Sequence, residues 1–354
     1  MNPRSLINFL LLWFLSGITC FAQPSPVENP SDMDIPHLRK QGTATQLIVD
    51  GKPFLMLAGE LGNNTATNLD YLNRAWPKIV DTKLNSVLAA VSWAQIEPEE
   101  GKFDFQVLDG VIDGARQNNL RLVFLWFGSW KNGHSTYAPD WVKKDYKRFP
   151  RVKNKDGESI EVLTPFSNEN RDADARAFTA LMKHVKEVDG QKHTVIMVQV
   201  ENEIFGRDHS ALATKAYQEK VPGTLMDYLK KHKEILIPEL QSVWENAGFK
   251  TSGTWEEVFG KSVAADEIFM AWYFSSYVGR ITSMGKAEYR YQCSLTHGDG
   301  LSQRKGKTQT APRCRMFSIS GRQVRHKSTS FVPIFMMQIS QSHVNYIPEG
   351  EIHF

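Results

Sequence analysis

Cysteine is almost missing from this chain: 354 residues hold three, Cys20 near the start and Cys293 and Cys314 near the end, with none between. A disulfide-stapled body is excluded, and so is a thiolate metal cluster. His134, His184, His193 and His209 are scattered without metal-ligand spacing, so no metal is expected and they read as surface or loop residues. The chain also lacks an apolar run of the ~20 residues that a membrane span requires. Its stretch from Leu6 to Ile18 follows Arg4 and precedes the small Ala22, the pattern of a signal peptide over residues 1–22, which implies a secreted or periplasmic product. An excess of either charge is missing too. Net charge is +3, and residues 1–289 carry 33 Lys and Arg against 36 Asp and Glu. Without a basic stripe in the body, a nucleic-acid partner is excluded.

What the chain has is an ordinary globular core supply, 41% hydrophobic and 11% aromatic residues, in a repeating order. After a Pro/Ser/Asp-rich linker, residues 23–45, comes an apolar run, an Asp50-Gly51 turn and a second run ending at Glu60. Residues 69–82 have a helical pattern interrupted by Pro77. Strand LNSVLAAVSW follows, then a helix over Val107–Gln117, strand RLVFLWFGSW, a long loop over 131–170, a helix over Asp172–Val188 and strand TVIMVQVENE. Two more helices are expected over Gly223–Glu245 and Val263–Lys286. Strands alternating with helices at this spacing predict an α/β fold, a parallel sheet wrapped by helices.

The last of these strands poses the functional question. Residues 194–200, TVIMVQV, read as a strand buried on both faces, yet the run ends on Glu201-Asn202-Glu203. In a parallel barrel the C-terminal strand ends line the active-site mouth, which makes such carboxylates catalytic candidates by position. Residues two apart share a face, so Glu201 and Glu203 both point inward and Asn202 points away unless the strand bulges; position alone does not rank them. Glu60, Trp93, Trp126 and Trp130 fall at comparable strand ends. Aromatic faces stack on sugar rings and carboxylates bind hydroxyls, so these residues are candidate sugar contacts. Core packing is the competing reading for each tryptophan.

Two segments carry a family resemblance. VQVENE with its strand, and Trp93, Glu97-Pro98, Gly101 and Phe103-Asp104-Phe105 in the spacing W-x-x-x-E-P-x-x-G-x-F-D-F, resemble family-35 glycoside hydrolases and their clan, retaining β-galactosidases with a TIM-barrel catalytic domain. The resemblance covers about residues 38–289. It implies a TIM (β/α)8 barrel, an oligosaccharide substrate, no cofactor, Glu203 as general acid/base and Asn202 as a ligand of the sugar 2-hydroxyl. It leaves Glu201 and Glu60 as sugar contacts. WFGSWKNG stands where the best-known members carry a Cys-Ala-Glu segment, which marks a divergent branch and leaves a β-glycosidase of other sugar specificity as an alternative.

The catalytic domain is thus expected over 46–289, as the first half of a barrel. Residues 290–354 have no tryptophan and carry 9 Lys and Arg against 3 Asp and Glu. Suitable codons for RYQCSLTHG, displaced by one position, read IPMFVNAW, and RMFSISG becomes HVLDIW in the same displacement; Met336-Met337-Gln338 force Asp-Ala. The expectation is a frameshift near codon 290 that makes the tail out of frame and disordered, removes the second half of the barrel and puts the nucleophile strand beyond it. Glu349 is an accident of that frame. The competing expectation is a remnant that binds glycans without turnover.

Overall fold

Three β-branched and aromatic runs form the centre of the sheet. The computed structural model describes residues 35–42, 44–204 and 206–291, with the backbone of 293–296, 316–317 and 336–337. The expected signal peptide and most of the expected tail lie outside the described residues. Chain order begins with β1 (His37–Gln41), β2 (Ala44–Val49) and β3 (Lys52–Pro53), an antiparallel unit turning at Asp50-Gly51. Residues 37–41 therefore belong to a strand, where a linker was expected: their register against Ile48–Ala44 gives the apolar half of β2 a partner.

β4 (Ala58–Glu60), α1 (Leu69–Asp81), β5 (Ser86–Ser92), the short α2 (Trp93–Ile96), α3 (Gln106–Gln117) and β6 (Arg121–Phe127) follow. Then come α4 (Asp140–Lys144), β7 (Arg151–Lys153), β8 (Ser159–Leu163), α5 (Asn168–Asp189) and β9 (Val195–Asn202). The chain continues through α6 (Ala211–Gln218), α7 (Gly223–Lys231), α8 (Pro238–Asn246), α9 (Trp255–Phe259), α10 (Val263–Glu288) and β10 (Cys293–Thr296). Strands β4, β5, β6, β9 and β10 pair in that order and all in parallel. Neighbours in space are thus neighbours along the chain apart from the small antiparallel hairpin β7–β8. This is the strand order of a (β/α) barrel, here an open arc of it.

Alternation along the strands divides the core. Val87, Ala89, Val91, Leu122, Phe124, Trp126, Val198 and Val200 face the helices, where Trp76, Ile112, Phe178, Leu181, Phe274 and Tyr277 meet them. Ala90, Val123, Leu125, Phe127 and Met197 lie on the other face against Leu47 and Val49 of the hairpin. Asp189, fully buried at the end of α5, accepts from Arg116 Nη2 (2.9 Å) and from the Val195 amide (2.7 Å), which fixes where β9 begins. His193 is buried rather than on the surface, its Nδ1 2.8 Å from Asp50 Oδ1, and His184 Nε2 lies 2.6 Å from Asp109 Oδ1.

Four expectations change. Helix α1 continues through Pro77, because the carbonyl deprived of its partner belongs to Asn73 on the exposed face, where water can take it. The stretch over 223–245 breaks into α7 and α8, with Pro238 opening the second. The loop over 131–170 contains α4 and the β7–β8 hairpin, and α5 starts at Asn168 because Ser167 caps it. Finally, the sheet passes the expected boundary at Tyr289. Tyr291 is buried with its hydroxyl donating to the Val195 carbonyl (2.6 Å), and Cys293–Thr296 pairs with β9.

Candidate active site at the carboxyl ends of the strands

Strand β9 does not end as plain alternation predicts. Glu201 and Glu203 both take left-handed backbone, with φ of 64° and 53°, so the turn bulges around Asn202. The register against β10 agrees: Ser294 pairs with Gln199 and Thr296 with Asn202, leaving one extra residue on β9. Gln199, the polar interruption in the apolar run, uses its side-chain amide to donate to the Glu201 carbonyl (2.9 Å). A left-handed conformation is costly for glutamate, and strain of this kind gathers where a side chain must be re-aimed.

The bulge sends the three polar side chains to different places. Glu201 turns toward the helical layer and is fully buried, accepting from the Ser129 amide (2.9 Å) and the Trp130 amide (2.8 Å). It is not a sugar contact: both of its oxygens are committed to backbone donors inside the protein. Asn202 is held by Lys131, whose Nζ donates to Oδ1 (2.6 Å) while lying 5.0 Å from the Phe127 ring centre. An ammonium can only donate, so the amide oxygen faces Lys131 and Nδ2 faces away from it. Glu203 is half-buried at the rim. Of the residues expected in the site, Asn202 and Glu203 are chain neighbours where β9 ends, and Glu60 is exposed at the matching end of β4.

The three tryptophans belong to the core, which corrects their reading as sugar platforms. Trp126 is wholly buried, donates from Nε1 to Asp174 Oδ1 (2.9 Å) and packs on Phe178. Trp130 donates to the Leu163 carbonyl (2.9 Å) between Phe274 and Tyr277. Trp93 donates to Glu97 Oε2 (2.8 Å), and Glu97 Oε1 accepts from the Gly101 amide (2.8 Å). Trp141 adds a bond to the Glu97 carbonyl (3.1 Å). The Trp93-to-Gly101 motif is therefore a buried staple under the rim. Glu97→Ala is expected to cost roughly 2–6 kcal/mol, since two donors lose a buried acceptor at about 1–3 each; chemical denaturation of parent and variant measures it.

Beneath the bulge lies a group that sequence reasoning missed. Asp174, buried on α5, accepts from Trp126, from the Ser129 amide (2.8 Å) and from the Ser129 hydroxyl (2.6 Å). Because Ser129 has given its only hydroxyl hydrogen to Asp174, the Tyr277 hydroxyl 2.7 Å away is the donor in their contact. Burial, with the Asp174 charge beside it, pushes Glu201 well above the usual carboxylate range, and burial lifts Asp174 as well. Two like charges held against one amide repel, and burial strengthens that repulsion by excluding water. The readable signal was Asp174 itself, a carboxylate in line with Phe178 and Leu181 on the apolar stripe of α5.

On the same rim an open hollow of about 680 Å³ lies between the loop after β4 and Tyr137, with Tyr71 and Arg74 of α1 among its walls. It contains none of the expected site residues. Among the described residues no cluster of His, Cys, Asp and Glu could hold a metal ion, and no helix is long and apolar enough to cross a membrane.

Part of the chain is similar to known proteins. Residues 68–262 match the model of glycoside hydrolase family 42, described as beta-galactosidase. Beta-galactosidase GalA of Bacillus licheniformis is 25% identical over 176 residues, 47% of this chain and 22% of that protein. Beta-galactosidase 14 of Arabidopsis thaliana is 26% identical over 170 residues, 45% of this chain and 17% of that protein. The chain thus spans about a fifth of the length of the curated relatives it matches. Among solved structures, a catalytic mutant of Gan42B, a GH42 beta-galactosidase from G. stearothermophilus, aligns with a TM-score of 0.47 at 16% identity, covering 70% of this chain and 36% of that one. The family match falls on family 42 in place of family 35, to which the strand motifs were likened. Since the matched region covers more than half of the residues, the chain belongs to glycoside hydrolase family 42, the beta-galactosidase family.

Proposed function

We propose that the gene encodes an exported, retaining exo-β-galactosidase that removes terminal β-galactosides from oligosaccharides, with Glu203 as its general acid/base. One observation carries this reading. At the end of β9 the left-handed turn buries Glu201 but leaves Glu203 half-buried at the rim beside Asn202, whose amide is oriented by Lys131. Glu203 first protonates the leaving sugar's oxygen, then takes a proton from the water that hydrolyses the glycosyl-enzyme. Asn202 bonds the 2-hydroxyl, where hydrogen bonds strengthen as the transition state forms. Glu60, on the facing edge, is a further sugar contact.

In a retaining enzyme the partner carboxylate sits about 5–5.5 Å from the acid/base. No described residue is assigned this role; the one-position displacement that suitable codons allow after Tyr289 would put the nucleophile strand in another reading frame. The test is hydrolysis of nitrophenyl β-galactoside by two proteins, this chain and one with the reading frame restored near codon 290. Turnover by the restored protein, with the β-anomer as first product by nuclear magnetic resonance, is the expected result. Inactivity of the restored protein on β-galactosides, or turnover by this chain equal to it, refutes the reading.

A further inference from the structure

Asp174 and Glu201 lie side by side under the strand end that presents Asn202 and Glu203, and the proposed chemistry uses neither directly. Four hydrogens reach the pair: the Ser129 amide, shared by Asp174 Oδ2 (2.8 Å) and Glu201 Oε1 (2.9 Å), the Ser129 hydroxyl, the Trp126 indole and the Trp130 amide. None of these donors carries a full charge. The charged and titratable groups around the pair are committed elsewhere. Lys131 holds Asn202, Arg171 on α5 pairs with Asp172, Tyr277 on α10 meets Ser129, and Glu203 lies two residues on at the rim. Two carboxylates sharing one amide hydrogen without a cation become a bonded pair when a single proton sits between them.

We propose that Glu201 carries this proton on Oε1 and donates it to Asp174 Oδ2, and that the pair is a positioning device for the catalytic turn. It draws Ser129 and Trp130 against β9, which places Lys131, the next residue, on Asn202 and holds the left-handed backbone that presents Glu203. The positioning half rests on the role given to Glu203; the shared proton does not.

Glu201→Gln separates the two. Its Nε2 replaces the proton-bearing oxygen and donates to Asp174, its oxygen keeps the Trp130 amide, and the Ser129 amide, which Nε2 cannot accept, keeps Asp174 Oδ2 as its acceptor; Glu201→Ala removes every bond that the Glu201 side chain makes. In the unfolded chain the group ionises at about 4.3. Because the folded value is raised, the stability this group contributes is full below that pH and declines as pH rises toward the folded value. Glu201→Gln has no such decline. Thermal unfolding of this chain between pH 5 and pH 9 is expected to show the Gln variant gaining on the parent as pH rises, and a constant difference would overturn the shared proton. Infrared spectroscopy of the parent alone decides the same point if the variant does not fold: a protonated carboxyl band at neutral pH, lost on unfolding, is expected, and its absence overturns the proposal. In the frame-restored enzyme, Glu201→Gln keeps kcat within about threefold, whereas Glu201→Ala lowers kcat far more than it changes KM. Equal kcat for all three disproves positioning and leaves the proton standing. If the restored parent is inactive on galactosides, positioning falls with the functional reading, and the unfolding and infrared results still decide the proton.

Discussion

Replacing Glu203 by Gln in the frame-restored protein is expected to lower kcat on nitrophenyl β-galactoside by about 10²–10⁴-fold, the range that a positioned proton donor and acceptor supplies. Glutamine keeps the shape of the side chain but can neither give nor take the proton, so both halves of the reaction lose their catalyst. The two halves do not suffer equally. Nitrophenolate is a good leaving group and needs little protonation, so formation of the glycosyl-enzyme persists while water, left without a base, attacks slowly. The expected trace is a burst followed by slow turnover. A small anionic nucleophile such as azide attacks without a base, and its addition is expected to restore release, giving a β-linked adduct. Thermal unfolding matched to the parent ties the loss to chemistry. Unchanged kcat on the nitrophenyl substrate and on an unactivated galactoside would remove Glu203 from the mechanism.

The legible part of this fold is the part governed by burial. Runs such as SVLAAVS and RLVFLWF are apolar because both of their faces are covered, so β5 and β6 were readable to within a residue or two. The polar finish of β9 was readable too, and it is what makes Asn202 and Glu203 candidates. What failed was any inference that needed a direction. Alternation put Glu201 and Glu203 on one face, but the rule holds only for extended backbone, and two left-handed residues cancel it. Tryptophans at strand ends look alike whether they face sugar or helix. Only the partners of Trp93, Trp126 and Trp130, a carboxylate or carbonyl inside the protein for each, decide between the two. Lys131 was passed over because its segment, WFGSWKNG, stood out only as a departure from a family pattern. Its contact with Asn202 joins residues 71 positions apart, a separation that no local pattern reports.

Gly128→Ala is expected to be the most damaging single methyl addition near the site. Gly128 does not have left-handed backbone, so the constraint is space. A Cβ there would lie 2.4 Å from Trp126 Nε1, 2.5 Å from Glu201 Oε1 and 2.6 Å from Asp174 Oδ2. None of the three can retreat freely: Trp126 is fully buried against Phe178, Glu201 is bonded to two amides, and Asp174 holds three donors. Overpacking costs about 1–3 kcal/mol, and a broken buried bond adds about 1–3 more. The expected total is roughly 2–6 kcal/mol, a fall in Tm of about 4–24 °C for a domain of this size. Gly101→Ala is the control, because it separates strain from crowding. Gly101 has a φ of 75° with nothing within 4 Å of a Cβ, so alanine there costs only about 1–2 kcal/mol. Thermal unfolding of the two variants ranks them, and a Gly128→Ala protein as stable as Gly101→Ala would mean that the carboxylate pair is looser than its hydrogen bonds imply. In the frame-restored enzyme the same methyl pushes the Ser129–Lys131 segment away from β9, so kcat falls together with stability, whereas Gly101→Ala leaves it near the parent's.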